Sequence, residues 1–171
     1  MTREFGVTAF GRAWLRRIEP VTVTGVDRDL VRARSLARRG VGDPVVDGSR
    51  VRATVTERGR EHAVALAVPA WDARERALAD RALAGHDPGD PSDEAAAALA
   101  AAGVGIAPDP AELAPGSEVR RAHLLAVCYR LVRCIDEDPR LAIALRAPDG
   151  RGPRDPDLIP LAEVGTAGFY G

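Results

Sequence analysis

The sequence predicts an α+β domain: a small three-stranded antiparallel meander with flanking helices and a C-terminal helical segment. Three observations predict it. Apolar residues recur at helical spacing in several blocks, the stretch between Val45 and Val68 changes to the alternation of strands, and Asp47-Gly48 and Gly59 supply turns at hairpin distances. The 171 residues, 46% of them hydrophobic, suffice for one modest core and exclude a large multidomain enzyme. Much of that percentage is alanine, which buries little area.

Taken in chain order, Phe10, Trp14, Leu15 and Ile18 give a short docking helix one apolar face, and Glu19-Pro20 stops it. From Asp29 to Arg39, Leu30, Ala33, Leu36 and Ala37 alternate with Arg32, Arg34, Arg38 and Arg39. This predicts a second helix with a strongly basic polar face and Gly40 as its exit. Val45-Val46 and then Val51, Ala53 and Val55 read as a hairpin, with Ala63 to Val68 as a third, more apolar strand. Pro69 ends the sheet. Asp72 and Glu75 form a capping box for a helix that has Trp71 at its entry and carries Leu78 and Leu83.

Gly85 to Pro91 interrupts the pattern, and Asp90 is the expected cap of an alanine-rich helix with Pro91 in its first turn. Ala107 to Gly116, with three prolines, reads as irregular. The longest helix is expected from Glu118 to Ile135, with Leu124, Val127, Cys128, Leu131 and Ile135 on one apolar side and Asp136-Glu137-Asp138 as its solvated end. Leu141 to Leu145 resumes as a short helix. Beyond Ala147 the chain is rich in Pro, Gly and Asp, a tail in which Leu158, Ile159, Leu161, Phe169 and Tyr170 are the candidate protein contacts. The regions are therefore 1–84 (helix, sheet, helix), 85–146 (helical) and 147–171 (tail).

Charge narrows the function. All 24 basic residues are arginine; with 25 acidic residues the net charge is -1, so global charge does not mark the chain as one that coats nucleic acid. The distribution is polarised: residues 1–67 hold 13 arginines against 8 acids, and residues 68–117 hold 3 against 9, so the basic first third is open to phosphate or an acidic partner, or to neutralisation within the fold by the acidic middle. Arg32, Arg34, Arg38 and Arg39, extended by Arg50 and Arg52 on the hairpin, are the candidate contact set. Their guanidinium forks suit phosphate, an acidic protein partner, or carboxylates of the same chain.

No enzyme signature gathers. His62, His86 and His123 are scattered along the chain, no HExxH or phosphate loop is present, and Ser49 belongs to a turn. Trp14 and Trp71 are expected to pack in the core, with Tyr129 a weaker core candidate. Cys128 and Cys134 form no disulfide framework, which together with the lack of an apolar N-terminal segment predicts a reduced, cytoplasmic setting. No stretch reaches the length of a membrane span. Neither a catalytic residue nor a cofactor is expected.

Several phrases then occur in a telling order: FGVTAFGRAWLRRIE, LVRARSLARRG, VVDGSRVRATV, HAVALAVPAW and RAHLLAVCYRLVRCIDEDPRLAIALRA. In order and spacing they resemble actinobacterial SWIM zinc-finger family proteins, over most of the chain before its tail. That family's finger has a C-x-C pair and then a C-x-H pair at the start of the long helix, enclosing zinc in three thiolates and one imidazole. Here His123 stands at the histidine, Arg121 replaces the cysteine before it, and Glu112 and Ala114 fall near the other two thiol positions. The resemblance thus implies a degenerate SWIM-like domain without the zinc of its family. It further implies association with nucleic acid, or with a protein acting on it such as a helicase-like ATPase of the chromatin-remodelling superfamily. The expectation is a noncatalytic adaptor or structural subunit of a protein assembly. The alternative is a DNA- or RNA-binding accessory protein acting with such an ATPase.

Overall fold

A computed structural model of the chain describes residues 5–19, 27–116 and 119–148. The elements are α1 (Ala9–Ile18), α2 (Arg28–Arg39), β1 (Val45–Asp47), β2 (Arg50–Glu57), β3 (Arg60–Ala67), α3 (Ala73–Leu83), α4 (Asp93–Ala101), β4 (Ala114–Pro115), α5 (Arg121–Glu137) and α6 (Arg140–Arg146). The architecture is α+β, and the antiparallel sheet has four strands in the order β1-β2-β3-β4 rather than three. The fourth strand lies in the stretch expected to be irregular. Two residues, Ala114 and Pro115, lie opposite Ala67 and Leu66, and Gly116 N–H donates to Ala65 C=O. So short a strand, half of it proline, leaves no periodic signal; it is created by β3 offering an edge.

The β2–β3 hairpin is fixed by its turn. Arg58 and Gly59 have φ of 51° and 76°, the pair of positive values that matches the right-handed twist of the flanking strands. The resulting register pairs Val55 with His62 and Ala53 with Val64. Side chains alternate across a strand, so Val51, Ala53, Val55, Val64 and Leu66 face inward, while Arg50, Arg52, Thr54, Ala63 and Ala65 are exposed on the opposite face. The third strand starts at Arg60, ahead of the apolar run that announced it.

α5 fills the space between the sheet's inner face and helices α1 and α2. Every residue from Ala122 to Tyr129 is buried, as are Leu131, Val132 and Ile135, so the helix is enclosed on nearly all sides rather than on one stripe. Tyr129, expected as a weaker core residue, is fully buried, and its hydroxyl donates to Glu19 at 2.5 Å. Phe10, Trp14 and Trp71 take the core positions expected of them.

Several boundaries move for identifiable reasons. α4 is entered through Ser92 rather than Asp90, with Asp93 and Glu94 in its first turn where the helix dipole favours acids. α5 begins at Arg121, with Arg120 as its N-cap, and Glu118 lies outside the described residues. Gly40 ends α2 as expected but not by a left-handed turn. A β-carbon there would sit 2.6 Å from Thr56 C=O, so the glycine permits the close approach of α2 to β2.

Asp136, expected at a solvated helix end, is half-buried and engaged. It accepts hydrogen bonds from Gly6 N–H (2.7 Å), Thr8 N–H (2.9 Å) and the Thr8 hydroxyl (3.0 Å), so the C-terminal end of α5 holds the segment that leads into α1. No described helix is long and apolar enough to cross a membrane.

Candidate functional site

The six arginines picked out by sequence divide into two groups. Arg32 is taken up internally: its Nε donates to Glu57 Oε1 at 2.6 Å. Arg34 is taken up likewise, reaching Glu19 (2.8 Å) and the Tyr129 hydroxyl (3.2 Å). Arg39, Arg50 and Arg52 are exposed and enter no ion pair among the described residues. Arg38, also exposed, is engaged. Only Arg50 and Arg52 share a surface by register, the outer face of β2 beside Ala67 and Ala65 of β3. Leu158, Ile159, Leu161, Phe169 and Tyr170 lie outside the described residues.

A second cluster was missed by sequence reasoning. His62 and His123, read there as scattered, have ring centroids 4.6 Å apart with planes inclined at 41°. Glu57 completes the group: its Oε2 lies 3.1 Å from His123 Nε2, while its other oxygen is held by Arg32. The pleat explains the placement. Glu57 and His62 continue the inward-facing rows of β2 and β3, where Val51, Ala53, Val55 and Leu66, Val64 precede them. His123, in the first turn of α5, is delivered onto that end of the sheet and is 3% exposed.

The cluster is electrostatically defined. The Arg32 guanidinium, and after it His123, hold the Glu57 carboxyl down at about 2, so it is a carboxylate throughout the neutral range. One donor atom from each of Glu57, His62 and His123 lies within 4.8 Å of the other two. Both histidines also line an open cleft of about 880 Å³ that runs past Val119 and Arg120 to Arg52 and Thr54. His86 takes no part; it lines a separate pocket with Trp71 and Arg140.

The positions at which the SWIM resemblance places cysteines are otherwise engaged. Arg121 pairs with Asp27 (2.8 Å) and Asp29 (3.3 Å), the Glu112 carboxylate accepts from Asp109 N–H in a capping box, and Ala114 is a residue of β4. Cys128 is fully buried, and burial pushes its thiol up to about 12. Cys134 is partly buried and its thiol is raised for the same reason. Neither is poised as a ligand or a nucleophile. No family model, curated protein or solved structure matches the chain.

Proposed function

We propose that the chain is a noncatalytic adaptor, a structural subunit of a protein assembly, that docks an acidic segment of its partner on the outer face of the sheet. One observation carries this reading. Arg32 and Arg34 are consumed within the fold, whereas Arg50 and Arg52 project from a sheet face that also exposes Val45, Ala63 and Ala65. Small side chains let a partner backbone approach closely, and the two guanidinium groups above them select carboxylates. A shallow groove of about 390 Å³ beside Arg50, Arg52 and Ala65 marks the same place.

The test is native mass spectrometry of the complex isolated from source cells, for the wild-type chain and for an Arg50→Glu, Arg52→Glu variant. The adaptor reading expects a stoichiometric protein assembly that persists after nuclease treatment and is weakened about tenfold or more by the charge reversal, equivalent to about 1.4 kcal/mol. An assembly indifferent to both substitutions overturns it. Because Arg39, Arg50 and Arg52 carry no acidic partner among the described residues, the second reading is a DNA- or RNA-binding accessory acting with a helicase-like ATPase. It expects a species bearing nucleic acid, with affinity falling steeply between about 50 and 200 mM salt.

A further inference from the structure

We propose that Glu57, His62 and His123 form a binding site for one divalent cation of the zinc class. The ligand set is distinct from the one the SWIM resemblance implies: two of its members come from the β2–β3 hairpin, and only His123 lies on the long helix. Two imidazoles and one carboxylate are a sufficient protein complement for zinc, with water as the fourth ligand.

The geometry is close to what an ion requires. Two donors bound at about 2.0–2.1 Å to a tetrahedral zinc lie about 3.3 Å apart, and His123 Nε2 and Glu57 Oε2 are separated by 3.1 Å. The His62 donor lies within 4.8 Å of both. Its ring is only partly buried, which gives the side chain room to rotate toward the other two donors.

The surroundings support an ion as well. Arg32 holds Glu57 Oε1 at 2.6 Å, which orients the carboxylate with Oε2 toward His123 Nε2, the role outer-shell partners play in metal sites. An ion bound there replaces the hydrogen bond between the two, and its proton leaves Nε2 for solvent. Both histidines line the open cleft, giving the ion and its water a way in. A hydrogen bond alone accounts for less. The buried His123 imidazole is satisfied at Nε2 by Glu57, yet a second imidazole stands beside it on the inward face, at a position the strand pattern reserves for an aliphatic side chain. A shared cation accounts for all three residues. It also ties the hairpin to α5.

The test uses the full chain, stripped with chelator and titrated with cobalt(II) as a spectroscopic probe, then with zinc in competition. One ion per chain is expected, with a visible absorption band that zinc removes and a raised thermal midpoint. His62→Gln, at a partly exposed strand position, should weaken binding about 100-fold, at or beyond the upper end of what outer-shell changes cost. His86→Gln and Cys134→Ser should leave it unchanged. Should His62→Gln fail to fold, imidazole nitrogen resonances of the wild-type chain with and without zinc decide the matter: shifts at His62 and His123 but not His86 support the site. Failure to bind one equivalent, binding unaffected by His62→Gln, or shifts confined to His86 overturns it.

Discussion

A single carboxylate organises the junction between the ends of the described chain. α1 has no acid in its first turn: Ala9 N–H donates to Asp93 at 2.8 Å, Gly11 N–H donates to the hydroxyl of the N-cap Thr8 at 3.0 Å, and Asp136 at the end of α5 holds Gly6 and Thr8 and sets a carboxylate beside the positive end of the helix dipole. Removing Asp136 by substitution to alanine is expected to cost about 2–4 kcal/mol, since two backbone donors and a hydroxyl lose a charged acceptor; urea denaturation measures it. Gly11 belongs to the same contact, because a β-carbon there would lie 2.0 Å from Asp136 Oδ1. Gly11→Ala should therefore destabilise the wild-type chain yet be neutral or stabilising in an Asp136→Ala background, where alanine's helix preference of about 1 kcal/mol is free to act. Additive costs in the double-mutant cycle would contradict the clash. The two thiols give an independent check of burial. With Cys128 raised to about 12 and fully enclosed, a thiol reagent at pH 8 should modify Cys134 first and reach Cys128 only on unfolding.

At the scale of elements, the hairpin that carries Glu57 and His62 is held by a turn whose first residue is unfavourable. Arg58 adopts φ of 51°, which asparagine tolerates better than arginine, and Asn-Gly is the preferred sequence for a two-residue turn of this kind. Arg58→Asn is expected to raise stability by about 0.5–1 kcal/mol, read as a higher urea midpoint with an unchanged slope. This hairpin also shows how far sequence reading reaches. The alternation of Val51, Ala53 and Val55 with polar residues, the glycine-bearing turn and the Asp72–Glu75 capping box are local signals, and each produced the element expected of it. A one-step extension of the same alternation places Glu57 and His62 on the inner face. Their meeting with His123, 61 positions beyond His62, depends on how α5 is laid across the sheet, which no local period encodes. That Arg32 and Arg34 pair within the chain is one reading of the sequence, but the choice of Glu57 and Glu19 as their partners is illegible for the same reason, as is the two-residue strand β4.

Across the whole molecule, charge and core have separate roles. Among the described residues, Arg12–Asp93 joins the basic first third to the acidic middle, while Arg32 and Arg34 use acids of their own third, and Arg121 and Arg130 come from the last third to Asp27, Asp29 and Asp43. Most of these pairs have at least one exposed partner, where an ion pair contributes about 0–1 kcal/mol and is screened by salt. Asp93 tests this at acid pH. Its carboxyl is held below its ordinary 3.8, first by Ala9 N–H and then by Arg12, so its contribution is present above that value and lost as pH falls through the lowered one. The stability gap between wild type and Asp93→Asn should accordingly be widest near neutrality and close as pH falls through the lowered value. The core behaves differently. Leu131, fully buried on α5 between the sheet and the other helices, belongs to a single hydrophobic cluster that runs from Phe10 to Ala147. Leu131→Ala is expected to cost about 2–5 kcal/mol, whereas raising salt to about 1 M should change the unfolding free energy by less than about 1 kcal/mol. A salt effect as large as that of the leucine deletion would mean that the ion pairs, rather than the packing around α5, hold the fold together.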